Sequence, residues 1–114
     1  MINCLFCKIA NKEIPSEIVF ENDDITAFND INPQSPVHVL IIPKTHISSL
    51  NHIDRSNSEV ALKILEAIPL IAKKMGVFES GYRVVSNCGV DGLQSVEHLH
   101  FHILGKRLMK WPPG

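Results

Sequence analysis

The stretch Gln94-Ser95-Val96-Glu97-His98-Leu99-His100-Phe101-His102-Ile103-Leu104-Gly105 puts a histidine at every second position from His98 to His102. A β-strand sends alternate side chains to opposite faces. An extended reading therefore lines three imidazoles along one surface and packs Leu99, Phe101 and Ile103 behind them. Three such rings are an awkward choice for packing alone: as cations they repel below a pH of about 6.5, and as neutral rings each needs hydrogen-bond partners. A surface strand of satisfied histidines, or a chance run, would explain the spacing without chemistry. The chemical readings are a nucleophile with its supporting groups and a metal site.

Working outward, Tyr82 to Asn87 and Glu97 to Leu104 read as two strands joined by the loop Cys88-Gly-Val-Asp-Gly-Leu-Gln-Ser95. The glycines of that loop allow sharp turns, and its small polar members suit close approach to an anion. Upstream, Val37 to Ile42 is a nearly continuous aliphatic run ended by Pro43, the pattern of a buried central strand. Ser16 to Glu21 and Asp24 to Asn29 alternate around a Glu-Asn-Asp-Asp turn, so a largely antiparallel sheet follows. Cys4 to Asn11 predicts a short helix that stops before Pro15. Ser56-Asn-Ser-Glu59 has the form of a capping box, and Val60, Ile64, Ile68, Ile71 and Met75 recur at helical spacing up to Gly76. That predicts a long helix laid on the sheet, kinked at Pro69.

With 114 residues, 45% of them hydrophobic, the chain is read as one domain over residues 1–114. Eleven basic against twelve acidic residues give a formal charge of −1, with no basic block to mark a nucleic-acid or membrane surface. No stretch has the length of a membrane span and the start lacks the pattern of a signal peptide, so the expected location is cytoplasmic. Three cysteines then argue against a disulfide framework. The pair Cys4-x-x-Cys7 is by itself a weak signal, because a zinc site needs four ligands and a redox pair wants a βαβ context. His52, just ahead of the long helix, reads as a surface or capping residue.

Taken with its apolar flanks, the alternating triplet resembles the signature of the histidine triad (HIT) family. Glu13-Ile-Pro-Ser16, Ala27-Phe-Asn-Asp30-Ile31-Asn-Pro-Gln-Ser-Pro-Val-His38-Val-Leu-Ile-Ile-Pro-Lys44, Gly81-Tyr-Arg83 and Trp111-Pro-Pro-Gly114 extend the likeness in order along almost the whole chain. They are similar to the Hint branch, the nucleoside phosphoramidate hydrolases.

This resemblance implies an α+β HIT fold: a five-stranded, mainly antiparallel sheet with a short N-terminal helix and one long helix, paired into a homodimer. The implied reaction is cleavage of the P–N bond of purine nucleoside 5′-phosphoramidates such as AMP–amine conjugates. His100 would be the nucleophile, forming a nucleotidyl-histidine that water hydrolyses, with His102, His38 and Ser95 around the phosphate and leaving group. Gln94 and Asn87 would fall at phosphate and sugar contacts, Asp30 and Ile31 at the ribose, and Leu5, Phe6, Ile9 and Phe28 at the base. Some family members bind structural Zn²⁺ at positions that here hold Cys4, Cys7, His46 and His98. A dinucleoside polyphosphate hydrolase, or a nucleotide-binding interaction protein with incidental hydrolysis, are the alternatives. Two residues depart from the Hint pattern: Leu93 and Lys106 stand where glycine is usual, which points to altered loops and substrate preference. The C-x-x-C start is also more usual in other branches.

Overall fold

The structure, a computed structural model, describes residues 3–114. Its elements in chain order are α1 (Leu5–Ala10), β1 (Ile18–Glu21), β2 (Ile25–Asn29), β3 (Val37–Pro43), α2 (Ser58–Lys74), β4 (Tyr82–Val85) and β5 (Phe101–Gly105), with a single 3-10 turn at Leu50–His52 before α2. The strands form one five-stranded sheet in the order β1-β2-β3-β5-β4, antiparallel at every pairing. The aliphatic run of β3, interrupted only by His38, is buried throughout and sits at the centre, as its hydrophobicity requires.

Period-two alternation divides the side chains between the two sheet faces. Ile25, Ala27, Val39, Ile41, Leu99 and Ile103 go to one side, where Ile64, Ala67, Ile68, Ile71 and Ala72 of α2 cover them. Phe28, Leu40 and Ile42 go to the other, where α1 packs Phe6, Ile9 and Ala10. Burying a large aliphatic side chain of this kind contributes roughly 1.5–3 kcal/mol, so the α2 face carries most of the fold. The α1 face is thinner and partly open, which leaves room for a cavity beside the histidines.

Several boundaries differ from the sequence reading for local reasons. Ser56 does not cap α2: its amide and hydroxyl both donate to Asp54. Asn57 takes the N-cap position, without a side-chain bond to the helix. Pro69 lies within an unbroken α2 on its exposed side, where water can serve the carbonyl its ring leaves unpaired. β5 begins at Phe101 instead of Glu97. Continuing the register from Ile41↔Phe101 would set Leu99 opposite Pro43, which has no N–H to donate. Leu99 instead donates its amide to the Ile47 carbonyl at 2.6 Å. β4 stops at Val85, and the Ser86 hydroxyl continues the association by donating to the His100 carbonyl at 2.8 Å.

Leu93 and Lys106, the two departures from the glycine pattern, both have left-handed backbones, at φ 61° and 64°. The turns keep the shape glycine would favour, and the side chains bear a local strain of roughly 1–2 kcal/mol each. Both residues are exposed, so the strain is not repaid by burial. No helix among the described residues is long and apolar enough to cross a membrane.

Candidate functional site

His98 and His100 lie on the extended lead into β5 and His102 lies within it, all on the α1 side, so the alternating pattern does what its period requires. Phe6 meets the His98 and His100 rings edge-on, with centroids 6.0 and 5.0 Å away. Cross-strand pairing then brings two rows of residues to this face: Phe28, Leu40, His102 and Val85 in one, His38, Leu104 and Arg83 in the next.

The hydrogen bonds fix where each ring keeps its proton. His100 Nδ1 lies 2.7 Å from the His98 carbonyl, an acceptor, so Nδ1 carries hydrogen and Nε2 keeps its lone pair. The Gln34 amide donates to His38 Nδ1 at 3.0 Å, so the His38 proton sits on Nε2. That proton points to His102 Nδ1 at 2.8 Å, with Asp30 Oδ2 at 3.4 Å as the other acceptor. His102 is thereby left with its hydrogen on Nε2, a buried atom with no partner. Asp30, His38 and His102 are close enough to hold an ion. The proton on His38 Nε2 and the amide at its Nδ1 instead make this group a hydrogen-bonded relay.

Burial, with smaller contributions from His100 and His38, lowers the His102 pKa to about 4, and burial also lowers that of His38. Both rings are therefore neutral near pH 7. The unfolded chain binds protons on these residues near pH 6.5 while the folded chain does not, so their contribution to stability is present above that value. It is lost as pH falls from about 6.5 towards 4. For His102 the loss is on the order of 3 kcal/mol. Urea unfolding midpoints should fall steeply across that window, and in His102→Asn the fall should be smaller.

A cavity of about 330 Å³ opens beside the rings. Of the residues predicted to contact nucleotide or reacting groups, it gathers Leu5, Phe6, Phe28, Asp30, Ile31, Ser95, His100 and His102. His38 sits immediately behind His102. Ile9 is buried in the core under α1 and does not line the cavity. Asn87 does not line it either. Gln94 has its side chain committed, donating to the Ser48 and Val96 carbonyls at 2.7 and 3.0 Å and accepting from the Gly89 amide at 3.1 Å. It clamps the loop that presents Ser95. Ser16, Asn29, Leu40 and Val96 also line the cavity and were missed. The period-two pattern could have found Leu40, two positions from His38 on the same face, whereas Ser16 and Val96 arrive by folding of loops.

Behind the triad, Cys4, Cys7, His46 and His98 bring one ligand atom each to within 4.8 Å of the others. His98 Nε2 donates to the Pro43 carbonyl at 2.9 Å, which turns the Nδ1 lone pair towards Cys4 Sγ at 3.3 Å, Cys7 Sγ at 3.5 Å and His46 Nδ1 at 3.2 Å. A carbonyl holding the far nitrogen is the usual support for a metal-binding histidine. Cys4 is also the N-cap of α1, accepting the Cys7 amide at 3.3 Å. Without an ion, burial first and then Cys4 push the Cys7 thiol up to about 11. A cation among these four residues would reverse that by favouring thiolate.

The HIT domain family model matches residues 11–109. Over 112 residues the chain is 46% identical to "Adenylylsulfatase HINT1" of Arabidopsis thaliana, covering 96% of this chain and 76% of that protein. It is 47% identical over 112 residues to the "14 kDa zinc-binding protein" of Zea mays, covering 96% and 87% respectively. The solved structure of a HIT family hydrolase from Legionella pneumophila Philadelphia 1 superposes with a TM-score of 0.95 at 51% identity, covering 98% of this chain and all of that one. With the sheet order, the alternating histidines and a family match over nearly its whole length, the chain belongs to the histidine triad (HIT) family.

Proposed function

We propose that this chain is a hydrolase of purine nucleoside 5′-phosphoramidates that works through a nucleotidyl-histidine on His100. The observation that carries the reading is the His100 ring, whose Nδ1–H is spent on the His98 carbonyl while Nε2 keeps a lone pair beside the cavity. Such a ring needs no base to activate it at neutral pH, and a covalent intermediate divides one hard displacement into two easier ones. In this reading the base lies against Leu5, Phe6 and Phe28, and the Asp30 carboxylate accepts from the ribose hydroxyls next to Ile31. The phosphate lies over His100 and His102. Its negative charge favours a proton on the His38 and His102 pair, which then delivers it to the departing amine. Ser95 shares the cavity lining with His100 and stands near the bridging nitrogen as the P–N bond breaks. In this assignment Gln94 acts by holding the loop, and Asn87 and Ile9 have no direct contact.

The four-residue cluster behind the triad fits structural zinc. On a tetrahedral Zn²⁺, two nitrogens lie about 3.3 Å apart and a nitrogen and a sulfur about 3.6 Å, from the usual bond lengths. The separations here are 3.2 Å for the nitrogens and 3.2–3.5 Å for nitrogen to sulfur. Cys4, Cys7, His46 and His98 would hold the ion, which fastens the start of α1 to the lead into β5 and is closed to substrate. A maize relative named as zinc-binding is in keeping with this. A reducing compartment such as the cytoplasm suits three free thiols.

The homodimer reading has support in the surface. Leu62 and Leu65 of α2 and Phe78 beyond it are 51%, 55% and 43% exposed, and β4 is an open sheet edge. A second copy added there would cover both.

The deciding assay is steady-state hydrolysis of adenosine 5′-phosphoramidate beside a diadenosine polyphosphate. Faster cleavage of the phosphoramidate supports the proposal. Preference for the dinucleotide would transfer the chain to polyphosphate hydrolysis, and turnover of neither would leave a nucleotide-binding protein.

A further inference from the structure

On the far side of His102 from the nucleoside cavity lies a second concavity whose charge the reaction described above does not use. The cross-strand row that runs through Phe28 and Leu40, both lining the nucleoside cavity, continues through His102 to Val85. Val85 lines a groove of about 280 Å³ together with Leu104, Arg83, Arg107, Lys110 and Pro112. Residues directly opposite in an antiparallel pair lie about 4.5–5.5 Å apart at Cα on the same face. His102 therefore separates the two concavities, with the nucleoside side towards β2 and α1 and the groove towards β4.

Three of the groove's lining residues are cationic and no acidic side chain lines it. Among the described residues none of the three takes part in an ion pair. Arg107 Nε donates to the Gln34 carbonyl at 3.1 Å, which anchors the guanidinium beside the loop whose amide orients His38 and leaves its terminal nitrogens uncommitted. Arg83 lies against the Trp111 ring at 5.9 Å, a contact that steadies a guanidinium without neutralising it. A protein of formal charge −1 has thus gathered three unpaired cations at one edge of its triad.

We infer that this groove is the leaving-group site and that it selects leaving groups bearing an anion, a carboxylate or a sulfate, over neutral ones. The inference rests on the phosphoramidate reading. With the nucleoside in its cavity and the phosphorus over His100, the substituent on phosphorus that is not nucleoside turns past His102 towards β4. His100 Nε2 forms its bond to phosphorus as the P–N bond breaks, and the nitrogen keeps the electron pair and takes a proton from the His38 and His102 pair. The carboxylate of an amino-acid amine then rests against Arg83 and Lys110 as it departs. Water next breaks the His100–phosphorus bond, returning a proton to the pair and releasing the monophosphate. A sulfate leaves in the same direction with the electron pair on oxygen and needs no proton.

The test compares kcat/KM for three substrates: the adenosine phosphoramidates of alanine and of alaninamide, which differ by one carboxylate at nearly constant shape, and adenosine 5′-phosphosulfate. Wild type should prefer the alanine conjugate over the alaninamide conjugate by about tenfold or more at low salt, with the preference shrinking as salt screens it. Arg83→Gln with Lys110→Gln should remove most of that ratio, while Lys63→Gln on α2, which deletes a charge elsewhere, should leave the ratio as it was. Loss of phosphosulfate turnover in the double variant, beyond any loss on the alaninamide conjugate, would extend the site to sulfate; retention would restrict it to carboxylates. Equal rates on the two amine conjugates, or a ratio untouched by the double variant, would overturn the inference and leave the phosphoramidase reading standing. No turnover of any amine conjugate by wild type would overturn both.

Discussion

Replacing His100 with alanine should lower kcat for phosphoramidate hydrolysis by at least about 10³-fold, some 4 kcal/mol of barrier, while leaving adenosine monophosphate binding nearly unchanged. The argument is one of atoms. His100 Nε2 is the cavity's unprotonated nitrogen, because Nδ1–H donates to the His98 carbonyl at 2.7 Å and His102 carries its hydrogen on Nε2. Remove that lone pair and no neighbouring ring can replace it without exchanging its tautomer and breaking the bond from the Gln34 amide to His38. Binding should survive, since Leu5, Phe28, Asp30 and Ile31 line the cavity independently of the ring. The lost edge contact with Phe6 is with a side chain already held by Phe28 at 5.7 Å. Acid-quenched single turnovers should trap labelled nucleotide on wild-type protein and none on the variant. Turnover within tenfold of wild type would remove His100 from the nucleophile's role. His102→Ala should be milder, because it deletes a donor to charge and leaves the attacking atom in place.

The second large effect should come from Cys4→Ala combined with Cys7→Ala. If the cluster holds zinc, the isolated protein carries about one ion per chain and the double variant carries none. Each vacancy also leaves His98 fully buried with its Nδ1 lone pair unsatisfied. A structural zinc contributes directly to folding free energy, so a loss of several kcal/mol is expected, seen as a drop in Tm of ten degrees or more. The consequence should reach the active site through α1. Cys4 caps that helix, and the next two residues, Leu5 and Phe6, line the cavity beside the triad. Nucleotide affinity should therefore fall with the metal even at temperatures where the sheet is intact. Metal analysis of freshly purified protein reads the first part and calorimetric titration with adenosine monophosphate the second. A folded native protein free of zinc would end the metal assignment.

What could be read in the amino acids was whatever depends on period and type. The alternation of His98, His100 and His102 fixed which side chains share a face. The nearly continuous aliphatic run of Val37 to Ile42 announced a central strand, and the spacing of Ile64, Ile68 and Ile71 announced the apolar stripe that α2 lays on the sheet. These are local properties, set by backbone geometry within a few residues. The boundaries were less legible, because they turn on competition between neighbours: Asp54 captures Ser56 from the helix cap, and Pro43 cannot donate to the residue that would face it.

Tertiary structure decided everything that needs two distant segments to meet. The family resemblance implied Gln94, with Asn87, at phosphate and sugar contacts, yet the Gln94 amide is consumed by Ser48, Gly89 and Val96. The resemblance grouped Cys4 with His98 across 94 positions, but no spacing rule joins them, and nothing in the sequence told which nitrogen of each ring keeps its proton. The protonation pattern is set by carbonyls and amides of other segments, from Pro43, His98 and Gln34. The sequence by itself determined the set of chemical groups and the face that carries them. The placement of one lone pair at the cavity, a buried relay behind it and a cationic groove beyond it came only with the fold, because hydrogen bonds and charges act over a few ångströms in space whatever the distance along the chain.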